Sequence, residues 1–269
     1  MSDEINSRLK LAREIAREAG ELTLDFFQQA IEVERKGDDS PVTQADQQAE
    51  QLMRKRIAAC FPNDAIVGEE FGEQEGTSGF QWILDPIDGT KSFIAGVPLY
   101  SVLVAVVQDD SALIGMIAIP ALNEFIYAAK GQGAWWVQGD SQPQPARVSN
   151  RQHLSDGIFV TSQVDGFDDG HRSEAYRRLE RAAYITRSWG DGYGYLLVAT
   201  GRVEVMVDPE MNVWDAAALQ TVLEEAGGTF TDWQGQPGFR AGEGVATNGH
   251  VLKEVLAITC DYPKTRRRS

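Results

Sequence analysis

Asp85 and Asp88 close an apolar run, in the order Trp82-Ile83-Leu84-Asp85-Pro86-Ile87-Asp88-Gly89-Thr90. Carboxylates are hard oxygen donors, and the N–H groups left free where a helix begins hold anions. A strand that delivers two acids and turns into a helix therefore suits a divalent cation with a phosphate beside it. Pro86 has no N–H and a fixed φ, so a regular ladder should stop at Asp85. Gly89 and Thr90 open the turn into a short helix. A D-G pair alone is an ordinary solvated turn, and further acids are what raise this stretch above that reading. Glu69 follows a short strand over 65–68, Asp215 lies near the start of a helix over 213–226, and Asp46 lies in the first turn of a helix over 44–60. Alone, an acid in a first turn usually does no more than favour the helix dipole. Glu69, Asp85, Asp88 and Asp215 brought together would repel by several kcal/mol unless cations lay between them. Carboxylates and waters suit Mg²⁺, and no cluster of His or Cys suggests zinc. Glu70 reads as a solvated neighbour, outside the site.

The elements that must position these acids follow from periodicity. Ser2 or Asp3 can cap a helix running to Gln28, with Ile5, Leu9, Ala12, Ala16, Ala19, Leu22 and Phe26 on one face. Residues 34–41 are polar and read as a mobile loop. The helix over 44–60 turns Ala49, Leu52, Met53 and Ile57 inward, and Cys60 on its apolar side should be buried. Strands over 100–107, 112–119, 124–129 and 134–137, with turns at 108–110 and 130–133, predict an antiparallel meander. Residues 140–146 hold two prolines and read as a link. Beyond them, strands over 157–161, 184–187, 203–207, 229–231 and 244–246 alternate with helices over 171–181, 192–200, 213–226 and 249–256. One unit spanning 1–269 is expected. Its α+β half, 1–140, carries the acidic motif, and its α/β half, 141–269, completes the site.

With 269 residues, 42% of them hydrophobic, the chain can bury a substantial core. A net charge of −15 argues against nucleic acid or an anionic membrane as main partner. It would also repel an anionic substrate unless metal ions reversed the local sign. The basic end, Lys264 to Arg268, is short. Cys60 and Cys260 make no disulfide framework. No basic-then-apolar leader opens the sequence and no apolar run reaches spanning length, so a soluble cytoplasmic protein is expected.

The Trp82–Thr90 stretch resembles the first metal-binding motif of the inositol monophosphatase family. Val213-Trp214-Asp215-Ala216-Ala217-Ala218, followed by Glu225-Ala226-Gly227-Gly228, resembles the second motif. Gly68-Glu69-Glu70 and Thr43-Gln44-Ala45-Asp46 match as well, so the resemblance runs from about Leu11 to about Leu256. It implies an α-β-α-β-α sandwich of the inositol monophosphatase and fructose-1,6-bisphosphatase type. It also implies a Mg²⁺-dependent hydrolase of small phosphate monoesters, expected as a homodimer. By the same resemblance one Mg²⁺ is held by Glu69, Asp85 and the carbonyl of Ile87, and a second by Asp85, Asp88 and Asp215. A third ion beside Glu69 is allowed. Thr90 and Asp46 are implied as the pair that takes the proton of the attacking water, because a threonine hydroxyl alone is too weak a base. The N–H groups of Gly89 and Thr90 are implied to hold phosphate oxygens, and Asp88 and Asp215 are counted with them among the substrate-binding residues.

Arg187-Ser188-Trp189-Gly190-Asp191 resembles the stretch that faces the substrate's organic part in the branch acting on L-histidinol phosphate. An acid at Asp191 suits a substrate with an ammonium and a protonatable imidazole. Asp208 stands where the family places a substrate-contacting acid, often Glu elsewhere, and Arg187 is included with it. The plainer reading of Asp191 is a cap for the helix beginning at Gly192. The alternative substrates are inositol-1-phosphate or a range of sugar phosphates. A bisphosphate nucleotidase is less favoured, since no basic cluster awaits a second phosphate. A carboxylate-rich module that binds metal without turnover would not need Asp46 and Thr90.

Overall fold

The computed structural model describes residues 2–29, 33–35, 41–168 and 172–262. The chain begins with α1 (Ser2–Phe26), the paired strands β1 (Val33–Arg35) and β2 (Pro41–Thr43), and α2 (Gln44–Cys60). Then follow β3 (Ala65–Gly68), β4 (Gly72–Gln74), β5 (Phe80–Asp88) and the short α3 (Thr90–Ile94). Next come β6 (Ser101–Gln108), β7 (Ser111–Ile119), β8 (Glu124–Ala129), β9 (Ala134–Gln138) and β10 (Gln144–Pro145). The remainder runs β11 (Ile158–Val160), α4 (Ser173–Ala182), β12 (Ile185–Arg187), α5 (Gly192–Ala199), β13 (Val205–Asp208) and α6 (Val213–Glu225). It closes with β14 (Thr229–Thr231), β15 (Gly244–Thr247) and α7 (Leu252–Thr259).

Two large sheets result, in the orders β10-β9-β8-β7-β6-β5-β3-β4 and β12-β11-β13-β15-β14. Alternation along β5 explains the layering, because successive strand residues face opposite sides. Trp82 and Leu84, with Val104 and Met116 of the neighbouring strands, pack under Ile15 of α1 and Met53 of α2. Ile83, with Leu103 and Ile117, packs on the other side against Leu196 of α5 and Leu219 of α6. Val160, Met206 and Ala246 of the smaller sheet join that same cluster. Phe159, Val205 and Val245 face outward onto Leu179 of α4 and Val255 of α7. The order α1/α2, large sheet, α5/α6, small sheet, α4/α7 is the expected α-β-α-β-α sandwich. Among the described residues no helix is long and apolar enough to cross a membrane.

Several expectations need correction. Cys60 is exposed. The inward stripe of α2 advances in steps of four through Ala49, Met53 and Ile57, so its next position is Phe61, whose ring lies 5.9 Å from that of Trp82. Pro86 does not end β5; the strand continues to Asp88 across a register shift between Asp85 and Asp88. The stretch 34–41 includes the ends of the β1–β2 pair, while residues 36–40 lie outside the described residues. Gln144 and Pro145 pair with β9, so the link is partly an edge strand. The last helix starts at Leu252 rather than at Gly249, because Asn248 Oδ1 accepts the N–H groups of His250 and Val251 and makes a turn there. His171, expected in the α4 region, lies outside the described residues.

Candidate active site

Strand direction sets the first two acids. β3 runs parallel to β5, with Gly68 opposite Leu84, so the residue after β3 emerges beside the end of β5. The Glu69 N–H donates to the Leu84 carbonyl at 3.3 Å, which sets Glu69 next to Asp85. The bulge in β5 then brings both Asp85 and Asp88 to the same cavity, about 610 Å³, which Glu69, Thr90, Asp191 and Asp208 also line. Asp215 arrives from α6 on the opposite side of the sheet. Single oxygens of Asp85, Asp88 and Asp215 lie within 4.8 Å of one another.

Each of these acids is anchored locally. Asp85 Oδ1 accepts the N–H of Ile87 at 3.1 Å. Asp88 Oδ2 accepts the Ser101 hydroxyl at 2.6 Å and the N–H of Gly192. Asp215 Oδ2 accepts the Asn212 N–H at 2.6 Å and closes a capping box at the start of α6. Asp46 does the same for α2, with Oδ2 taking the N–H and hydroxyl of Thr43 at 2.8 and 2.6 Å. Its Oδ1 faces the Thr90 hydroxyl at 3.5 Å, while that hydroxyl donates more closely, at 3.1 Å, to the Ile87 carbonyl. Asp46 therefore keeps one oxygen on its own backbone and turns the other to Thr90, while Asp215 is tied to its backbone and lies in the acidic cluster.

The electrostatics follow from burial among like charges. Asp85 is held far above the ordinary carboxylate range, first by burial, then by Glu69, Asp88 and Asp215. Asp88 is raised well above its usual value by burial, then by Asp191 and Asp215. Burial and Glu69 raise Asp215 to about 6 against the opposing bond from Asn212. Burial also raises Asp46. Lys91 is the sole cationic side chain lining the cavity among the described residues, and its Nζ donates to Gln163 at 2.6 Å. An acidic cavity with so little protein counter-charge, made of hard oxygens within one ion's reach, fits divalent cations.

A pH effect follows. A carboxylate whose folded pKa is raised stabilises the folded state while it is protonated. That contribution is complete below 3.8 and is lost as pH rises through about 6 for Asp215. Metal-free protein should therefore lose stability across that window, and added Mg²⁺ should raise Tm more at pH 8 than at pH 5. Thermal melts with Mg²⁺ and with EDTA at both pH values check this. Equal Mg²⁺ increments would place the ion away from these carboxylates.

Asp191 lies at the junction of this acidic floor with the rest of the cavity. Its backbone has φ 49°, rare for a non-glycine residue, and its N–H donates to Ser162 Oγ at 3.1 Å. It occupies the N-cap position of α5, yet its side chain makes no capping bond. The carboxylate instead points at Gly89. A Cβ on Gly89 would come 2.5 Å from Asp191 Oδ2, and Gly89 itself has φ 87°. Burial, then Asp208, lifts Asp191 to about 6. Asp208 lines the cavity, but both of its oxygens are occupied. Oδ1 accepts the Thr161 hydroxyl at 3.2 Å and the Ser162 N–H at 2.9 Å, while Oδ2 accepts Ser162 Oγ at 2.9 Å and the Tyr195 hydroxyl at 2.8 Å. Arg187 does not line the cavity; it is exposed on the edge strand β12 and donates to the Thr186 carbonyl. Ser101, Ser162 and Tyr195 were not anticipated. They are polar residues whose use depends on distant partners, and nothing in their immediate neighbours marks them.

The inositol monophosphatase family model matches residues 4–263. A histidinol-phosphatase from Chlorobaculum parvum is 42% identical over 93% of this chain and 95% of its own. A fructose-1,6-bisphosphatase/inositol-1-monophosphatase from Thermotoga maritima is 31% identical over 93% of this chain and 95% of its own. Among solved structures, an inositol monophosphatase from Zymomonas mobilis superposes with a TM-score of 0.83 at 29% identity, covering 94% of this chain and 98% of that one.

Proposed function

Because this chain belongs to the inositol monophosphatase family, we propose that it is a Mg²⁺-dependent phosphatase whose substrate is L-histidinol phosphate. That it is a phosphoric monoester hydrolase of a metal-dependent family follows from the family itself. The observation that carries the choice of substrate is Asp191. It is a half-buried carboxylate with no capping bond, set against Gly89 in the acidic cavity. A phosphate monoester whose organic part carries an ammonium would place that cation against it, adding to the Ser162 hydrogen bond and the Lys91 charge that already favour its ionised form.

Glu69, Asp85 and the Ile87 carbonyl would hold one ion, and Asp85, Asp88 and Asp215 a second, with room for a third beside Glu69. Bound divalent cations supply a water of lowered pKa and stabilise the leaving alkoxide. The Thr90 hydroxyl would pass its own proton to Asp46 Oδ1 as it accepts that of the water, and the other Asp46 oxygen is tied to Thr43. The N–H groups of Gly89 and Thr90 hold phosphate oxygens. Asp208 braces Ser162, which in turn bears the Asp191 backbone, so its part in recognition is through Asp191. The two halves, 1–140 and 141–269, work as one unit. A cytoplasmic homodimer is proposed with them, to be checked by light scattering and fractionation.

Initial rates on histidinol phosphate, inositol-1-phosphate and fructose-1,6-bisphosphate, side by side with Mg²⁺ and with EDTA, test the reading. Histidinol phosphate is expected to be turned over with the highest kcat/KM, and EDTA to abolish turnover of all three. The second reading, an inositol-1-phosphatase or a broad sugar-phosphate phosphatase, is favoured by the Thermotoga relative. It prevails if either other ester is preferred.

A further inference from the structure

Glu50 is a fully buried carboxylate with no part in the chemistry above. It lies one turn beyond Asp46 on the same helix, α2. Its Oε2 accepts the N–H of Glu70 at 2.7 Å, and its Oε1 accepts the N–H of Phe71 at 3.2 Å. Arg54, one further turn along, donates to Oε1 at 2.7 Å and also to the Gly72 carbonyl. The pair thus grips the turn that joins β3 to β4 at successive peptides, immediately after Glu69. Gly68, just before Glu69, lies flush on the same carboxylate: a Cβ there would come 2.0 Å from Oε1. The backbone on both sides of Glu69 is therefore set by one buried side chain.

We infer that Glu50 is a positioning residue that holds the Glu69 carboxylate toward the metal cluster, so that α2 controls two parts of the site, Thr90 through Asp46 and the metal through Glu50. A buried acid that accepts consecutive backbone N–H groups and is paired with an arginine is a firm support, because both of its oxygens are held by donors. The inference rests on the reading of Glu69 as a metal ligand.

The test measures Mn²⁺ binding to intact, substrate-free protein, by the electron paramagnetic resonance signal of the free ion. Glu50→Gln, Gly68→Ala and Glu69→Gln are compared with the parent, with circular dichroism to verify folding. Gly68→Ala pushes the Glu50 carboxylate aside without removing it. Supporting branch variants of this kind typically cost about tenfold or more in metal affinity. The expected result is a weakening of Mn²⁺ binding by about tenfold or more in each single variant, with Glu50→Gln adding little on top of Glu69→Gln. A merely structural role would lower Tm and leave Mn²⁺ binding unmoved. If Glu50→Gln and Gly68→Ala are folded and bind Mn²⁺ as the parent does while Glu69→Gln does not, the positioning role is overturned. If Glu69→Gln itself binds normally, the assignment of Glu69 fails, and the role of Glu50 with it. Should Glu50→Gln not fold, Gly68→Ala and Arg54→Gln, both of which retain the carboxylate, are read by the same criteria.

Discussion

Asp88→Asn is expected to lower turnover a hundredfold or more at saturating Mg²⁺, on the scale of losing a metal ligand or its orientation. The substitution is close to isosteric, and the structure explains why it should still fold. Both protein donors to Asp88, the Ser101 hydroxyl and the Gly192 N–H, fall on Oδ2. An asparagine can offer its carbonyl oxygen to those donors, which leaves the amide facing Asp85 and Asp215. What disappears is one negative charge and one acceptor in a cluster whose acids are already raised by mutual repulsion. The metal-free variant should therefore be as stable as the parent or more so, since the repulsion is relieved. Steady-state kinetics across a Mg²⁺ titration, paired with thermal melts in EDTA, separate the two effects. Near-parental turnover would exclude Asp88 from the metal cluster.

Asp191→Asn is expected to lower kcat/KM on histidinol phosphate by about thirtyfold or more, the scale of an unpaired desolvated charge, about 2–5 kcal/mol. Inositol-1-phosphate carries no cation and should lose little, or gain. Metal dependence should not change, because Asp191 is not proposed as a ligand. The pKa of about 6 adds a pH signature. Parental kcat/KM on the cationic substrate should fall as Asp191 becomes protonated below about 6, and the variant should lack that limb. A capping role would instead cost about 0.5–2 kcal/mol of stability and affect every substrate equally. The absent capping bond already argues against that outcome. Equal losses on both esters would move the inositol reading ahead.

Much of the architecture was legible because its elements repeat strongly. The stripe through Ala49, Met53 and Ile57 gave α2 its limits, and β6 to β9 alternate across well-marked turns. Most of the acids of the cluster were legible for a local reason, since Glu69 and Asp88 sit where strands end and Asp215 where a helix begins, while Asp85 lies at the bulge within β5. Thr43-x-x-Asp46 and Asn212-x-x-Asp215 are both capping boxes. The chemical role and the local role are written in the same residues. What could not be read was whatever depends on contacts between distant segments. Glu50 looks like one more charge on a helix until the β3–β4 turn is laid against it. β4 is exposed along its length and carries no apolar signal. Arg187 shares a run with Asp191, but β12 is an edge strand and its last residue points away from the cavity that Asp191 enters.

The order in which the acids occur along the chain has a bearing on synthesis. Asp46, Glu69, Asp85 and Asp88 all emerge early, together with the large sheet. The helix that brings Asp215 also covers the Ile83–Leu103–Ile117 face of that sheet. Until α6 has left the ribosome, that face is covered only in part, by α5, and the acidic cluster lacks Asp215. Its completion by one late helix joins two events. The segment that finishes covering that face is the segment that carries Asp215 into the acidic cluster, so core closure and assembly of the acids are one event.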